Sequence, residues 1–191
     1  NAVDAGATEI RLIISDAGKA LVQVIDNGSG MTETDARMCF ERHATSKIRN
    51  IEDLFHIRTM GFRGEALASV AAVAQVELKT KRAEDETGTY IEVENSVVKK
   101  QEPVAAPNGT SIAMKNLFFN VPARRKFMKA ERTELNHIED WLRSLALAKP
   151  LVELRISHNG KLIKHYRPNL DWAEHHQRIT EALSDAFTQQ S

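Results

Sequence analysis

Leu21-Val22-Gln23-Val24-Ile25-Asp26-Asn27-Gly28-Ser29-Gly30 is the stretch on which the fold turns. Leu21 to Ile25 reads as a strand, returning from the turn chemistry of Asp16-Ala-Gly-Lys19. Asp26 to Gly30 breaks the pattern. Asp-Asn-Gly is hairpin chemistry, because it meets φ > 0 at little cost. A hairpin needs another strand next, but Met31 to Phe40 has a helical pattern. Thr32 and Asp35 open it with the spacing of a capping box. A strand that passes through glycines into a helix suits another task. The Asp26 carboxylate can accept a hydrogen bond from an exocyclic amine, and the missing side chains of Gly28 and Gly30 let a flat base approach the backbone. Tight turn and nucleotide loop both stand at this level.

Working outward, Glu9 to Ile14 reads as the preceding strand. Asn1 to Ala5 reads as a helix end, with Gly6 as its stop. Downstream, Arg42 to Asn50 is polar without a period, and Glu52 to Phe55 makes one helical turn. Gly61 to Gly64 is a glycine-bracketed loop before an Ala-rich buried helix to about Ala74. Val76 to Lys81, Tyr90 to Val93, Val97 to Lys100 and Thr110 to Met114 read as strands, with a hairpin turn at Asn95-Ser96. Leu117 to Phe127 is predicted to be a basic, aromatic-bearing loop. Leu135, Ile138, Leu142 and Leu145 form a helical stripe within Thr133 to Ala148, ended by Pro150. Val152 to Ser157 and Leu162 to Tyr166 flank the hairpin signal His158-Asn159-Gly160. Trp172 to Phe187 reads as a last amphipathic helix. The uneven alternation and the hairpins predict an α+β fold: an open mixed sheet with helices on one face.

Two further segments carry possible chemistry. Gly61-Phe-Arg63-Gly64-Glu65-Ala66-Leu67 opens a helix with glycines, which leaves N–H groups free to converge on an anion; close helix packing explains the same glycines. Arg42-His43-Ala44-Thr45-Ser46-Lys47 offers two hydroxyls beside a lysine, good phosphate partners or an ordinary solvated loop. No Walker phosphate loop and no Gly-x-Gly-x-x-Gly occurs. His43 reads as a surface or packing residue, and Cys39 as a small core residue.

Composition sets the outer bounds. The chain has 191 residues, 42% of them apolar, enough for the core of one domain with a small appendage. Its 26 basic and 26 acidic side chains cancel, which argues against a globally basic nucleic-acid binder. Five basic residues (Arg124, Arg125, Lys126, Lys129, Arg132) nevertheless face two acidic ones (Glu131, Glu134) between Phe118 and Leu135. One cysteine excludes an internal disulfide and a zinc cluster of paired cysteines, and fits a reducing cytosol. No apolar run approaches the ~20 residues of a membrane span. The chain opens at Asn1 without Met and is expected to be a piece of something longer.

Taken in order, these motifs resemble one family. Asn1-Ala-Val-Asp-Ala-Gly-Ala-Thr8, Asp26-Asn-Gly-Ser-Gly-Met31, Arg42-His-Ala-Thr-Ser-Lys47, Gly61-Phe-Arg-Gly-Glu-Ala-Leu67, Gly109-Thr110 and Asn120-Val-Pro-Ala-Arg-Arg-Lys-Phe127 are similar to the bacterial MutL mismatch-repair proteins, from Asn1 to about Tyr166. The resemblance implies the GHKL (Bergerat) ATPase fold shared with gyrase, certain chaperones and histidine kinases, lacking its first element here. It implies an ATPase domain over residues 1–167 and a connecting helix over 168–191 towards a following transducer domain.

Position by position, the resemblance makes Asn1 a Mg²⁺ ligand and Asp26 the acceptor for the adenine amine. Gly28 and Gly30 would lie beside the base, with Thr110 supporting Asp26. Thr45, Ser46 and Lys47 would form a lid over the phosphates. Arg63, Gly64, Glu65, Ala66 and Leu67 would cradle them. The cofactors implied are ATP and Mg²⁺. The family's general-base glutamate is expected one helical turn before Asn1, so this stretch by itself is expected to be hydrolysis-deficient within a weakly hydrolysing, Mg²⁺-dependent parent; such a base contributes typically 10²–10⁴-fold. Implied partners are a second copy, a MutS-like mismatch sensor, a repair nuclease or helicase, and DNA, in a bacterial cytoplasm near the nucleoid. The alternative is a non-catalytic module that presents Arg124, Arg125 and Lys126 to DNA or a protein.

Overall fold

A computed structural model of the chain describes residues 1–41, 66–169 and 178–180. The expectations for Arg42 to Asn50, Glu52 to Phe55 and Gly61 to Gly64 lie outside these residues. Of the helix expected over Trp172 to Phe187, only Arg178 to Thr180 are described, and they are helical.

Eight strands form one sheet. They are β1 (Glu9–Ser15), β2 (Leu21–Asp26), β3 (Gln75–Lys81), β4 (Gly88–Glu94), β5 (Val97–Val104), β6 (Gly109–Lys115), β7 (Glu153–His158) and β8 (Lys161–Tyr166). Their order is β5-β4-β3-β6-β2-β1-β7-β8. Among the described strands only β1 and β7 pair in parallel, so the sheet is mixed. The helices are α1 (Glu33–Met38), α2 (Ala66–Ala71), α3 (Pro122–Lys126) and α4 (Glu131–Ala148).

Register explains why the helices share one face. Residues directly opposite each other across a ladder point to the same side. Ile156, Leu12, Val24, Ile112, Leu78 and Ile91 are successive partners across six strands. One rung further on lie Ile14, Val22, Met114, Val76 and Val93. Leu142, Leu145 and Ala146 of α4 cover this apolar face over β1, β7 and β8; Ala36 of α1 and Phe40 just past its end, with Ala71 and Ala74 around α2, cover it over β3 and β4. Full burial of each large aliphatic side chain is worth roughly 1.5–3 kcal/mol. The opposite face carries Arg11, Gln23, Ser111, Lys79 and Glu92, as an open sheet requires.

The strands run somewhat longer than expected. β5 extends to Val104 and includes Pro103, which an edge strand tolerates because the N–H that proline lacks would have no neighbouring strand to bond on the open side. Leu117 to Phe127 is not all loop: Pro122 to Lys126 forms α3. Pro122 occupies the first helical turn, where its fixed φ helps and its missing N–H has no partner to lose.

Candidate functional site

The third rung of the helical face breaks the apolar rule. After Leu154 and Ile10 it reads Asp26, Thr110, Thr80 and Thr89, drawn from β2, β6, β3 and β4. Two residues earlier or later along each strand the same positions are aliphatic. The polar rung therefore lies at one end of the sheet, beside the face that the helices cover.

Glycines draw backbone tightly around it. Gly109 has φ +111°, and a Cβ there would overlap the carbonyl oxygen of Asp26. Gly30 has φ +70°, and a Cβ would overlap the carbonyl of Lys81. At Gly28 an added Cβ would lie 2.9 Å from both Cβ and O of Ala5. The last contact joins the loop to the N-terminal turn. That turn ends as expected: the Ala7 N–H reaches the Ala2 carbonyl at 3.1 Å, the Gly6 N–H reaches Val3 at 3.1 Å, and Gly6 has φ +73°. This is a Schellman stop. The Ser29 N–H donates to the Ala5 carbonyl at 2.9 Å. Asn27 locks the joint. Its Oδ1 accepts from the N–H groups of Thr8 and Glu9, both at 2.9 Å, and its Nδ2 donates to Thr8 Oγ1 at 2.8 Å.

Asp26 Oδ1 accepts from the Gly28 N–H at 2.9 Å. Burial raises the Asp26 carboxyl above its ordinary range, and the N–H groups of Gly28 and Thr110 oppose that rise. Thr80 sits next along the rung, 1% exposed. Its hydroxyl accepts from the Met31 N–H at 3.0 Å, donates to the Gly109 carbonyl at 3.0 Å and meets Thr110 Oγ1 at 3.0 Å. One side chain thus ties the Gly30 loop to the start of β6.

The structure brings Asp26, Gly28, Gly30, Thr110 and the turn begun by Asn1 together. Ala66 and Leu67 open α2, where Leu67 packs against the core under β3 and β4. Thr45, Ser46, Lys47, Arg63, Gly64 and Glu65 lie outside the described residues. Arg124, Arg125 and Lys126 form an exposed basic turn on α3, past the end of β6 opposite Thr110, with the Arg124 guanidinium 5.9 Å from the Phe118 ring centre. Thr80 and Asn27 are the two residues that reading the motifs missed. Alternation marks Thr80, since it continues the inward series Val76, Leu78.

Cys39 is half-buried, and burial first of all pushes its thiol up to about 12, as suits a packing residue rather than a nucleophile. Among the described residues no three His, Cys, Asp or Glu side chains are placed to hold a metal ion. None of the described helices is long and apolar enough to cross a membrane.

Comparison with known proteins agrees with this geometry. The family model described as histidine kinase-, DNA gyrase B-, and HSP90-like ATPase matches residues 1–120. A DNA mismatch repair protein MutL of Flavobacterium johnsoniae is 56% identical over 184 residues, 96% of this chain and 28% of the relative. The MutL of Bacteroides fragilis is 52% identical over 190 residues, 100% of this chain and 30% of the relative. The chain therefore spans less than a third of these relatives' length. The Aquifex aeolicus MutL ATPase domain complexed with ADP superposes with a TM-score of 0.74 at 28% identity, covering 96% of this chain and 64% of that one. With an open mixed sheet, a polar rung at its end, a match over residues 1–120 and close similarity to MutL proteins, the chain belongs to the histidine kinase-, DNA gyrase B- and HSP90-like ATPase family.

Proposed function

We propose that the polar rung binds the adenine of ATP, and that nucleotide occupancy in the full-length protein gates dimerisation and the coordination of repair partners on DNA. The observation that carries this reading is the half-buried Asp26 carboxylate on one rung with Thr110 and Thr80, ringed by Gly28, Gly30 and Gly109. Such a carboxylate accepts from an exocyclic amine, and the glycines let the surrounding backbone segments close tightly around it. In this reading Thr45, Ser46 and Lys47 close over the phosphates, while Arg63, Gly64, Glu65, Ala66 and Leu67 cradle them.

Mg²⁺ would balance the phosphate charge. The Asn1 carboxamide oxygen is a hard donor of the right kind, and Mg²⁺ takes its remaining oxygens from phosphates and water. Hydrolysis needs a general base in addition; residues 1–191 would supply base recognition and phosphate contacts. We read residues 1–167 as the nucleotide domain and 168–191 as the connection onward. A second copy, a mismatch sensor, a downstream nuclease or helicase and DNA are the proposed partners, in the bacterial cytoplasm.

Calorimetry with a non-hydrolysable ATP analogue tests the site. Mg²⁺-dependent binding is expected, and Asp26→Ala in the full-length protein is expected to abolish it. Unchanged affinity in that variant would refute the role of Asp26.

A second reading has its own observation. Arg124, Arg125 and Lys126 are exposed together, and Phe127 beside them is 86% exposed. Basic and aromatic groups side by side suit a DNA or protein partner. If α3 contacts phosphates, replacing the three basic residues by Gln lowers the slope of log affinity against log salt by roughly 2–3. A DNA-binding constant that ignores salt removes the proposal.

A further inference from the structure

The proton of one hydroxyl can be traced along the polar rung. Thr80 Oγ1 has three neighbours, at 3.0 Å each: the Met31 N–H, the Gly109 carbonyl and Thr110 Oγ1. A hydroxyl has a single proton to donate. The carbonyl can only accept, so it takes the Thr80 proton. The Met31 N–H can only donate, so it occupies a Thr80 lone pair. The remaining contact must then run from Thr110 to Thr80. The Thr110 proton is held within the sheet, and its oxygen has only lone pairs left to offer. Asp26, the register partner of Thr110 on the other side, is an acceptor as a carboxylate.

We propose that Thr80 is a positioning residue for base selection: by holding the Thr110 proton it makes the Asp26–Thr110 pair an acceptor-only surface, matched to a 6-aminopurine and mismatched to a 6-oxopurine. An amine at that position donates to this surface, directly or through one water. A carbonyl oxygen there sets lone pair against lone pair, and a buried acceptor without a partner is penalised. Thr80 never touches the base. It is 1% exposed and works through Thr110. The inference rests on the proposed reading of Asp26 as the base-binding carboxylate.

The test compares affinities of the full-length protein for non-hydrolysable adenosine and inosine triphosphate analogues. The wild-type protein is expected to prefer adenosine strongly. In Thr80→Val the Thr110 hydroxyl loses its acceptor and can turn its proton outward, so the adenosine-to-inosine preference is expected to fall by about tenfold. Thr80→Ser keeps the hydroxyl and should keep the preference. A purely architectural Thr80 would weaken both ligands equally in Thr80→Val and leave their ratio unchanged, which overturns the proposal.

Thr110→Val gives an independent reading should Thr80→Val fail to fold. It is expected to weaken adenosine binding and to leave inosine binding within about twofold, since an acceptor-only oxygen contributes nothing to a 6-oxo group. A clear loss of inosine binding would show that Thr110 donates outward, and would overturn the assignment. Asp26→Ala separates the two levels. If it weakens neither ligand, the base-binding reading itself fails. If it abolishes adenosine binding while Thr80→Val keeps the wild-type ratio, only the role of Thr80 fails.

Discussion

Gly6 and Gly30 have nearly the same backbone, φ +73° and +70°, in opposite surroundings. An added Cβ at Gly6 meets nothing within 4 Å, whereas at Gly30 it overlaps the Lys81 carbonyl. Gly6→Ala should therefore cost only left-handed strain, about 1–2 kcal/mol. Gly30→Ala should cost more than twice that, because two backbone segments would have to part. Equilibrium denaturation measures both, and equal losses would refute the distinction.

Two carboxylates titrate in opposite senses. Burial raises Asp26 above its ordinary 3.8, so the folded chain holds that proton more tightly than the unfolded chain. Its contribution to stability is full below 3.8 and is lost as pH rises through the folded value. Glu153 is lowered below its ordinary 4.5, chiefly by its bond to His165 at 2.7 Å and then by Arg155. Its contribution is full above 4.5 and is lost as pH falls through the folded value. Asp26→Asn is expected to flatten the rising-pH loss, and Glu153→Gln the acid loss. Unfolding free energies across a pH series check both slopes.

At the scale of elements, α4 shows how one helix divides its work. Trp141 is 62% exposed while its neighbour Leu142 is buried against β1, β7 and β8. Leu142→Ala should cost about 2–5 kcal/mol, as a cavity in the sheet-facing core. Trp141→Ala should stay within about 0.5 kcal/mol. Thermal or chemical unfolding distinguishes them, and a large loss at Trp141 would mean that its ring is packed. The stripe Leu135, Ile138, Leu142, Leu145 was legible because helical period is a local property. The turns were legible for the same reason. Asn95 and Ser96 have φ 51° and 62°, and Asn159 and Gly160 have φ 49° and 78°, the left-handed pairs of tight hairpins. α3 was not legible as a helix, since its five residues carry no apolar period and only Pro122 announces it.

At the scale of the whole molecule, a zero net charge coexists with an uneven surface. The basic turn on α3 follows the end of β6 opposite Thr110, so the two proposed contact regions occupy opposite ends of one strand. The sheet between them is built on the apolar rungs that α1, α2 and α4 cover.

Strand periods, caps, stops and turns follow from the order of residues alone, because each depends on neighbours within a few positions. That is why Thr32, Gly6 and the Asp26 to Gly30 break could be read directly. Which strands lie side by side depends on the sheet order, and there β3, β6 and β2 are adjacent although far apart in the chain. Thr80 finds Met31, Gly109 and Thr110 across 49, 29 and 30 residues. Its hydroxyl is an ordinary polar position in a strand until register sets it beside Thr110 and Asp26. Hydrogen bonding across strands is non-local, so only the folded sheet turns three scattered residues into one rung.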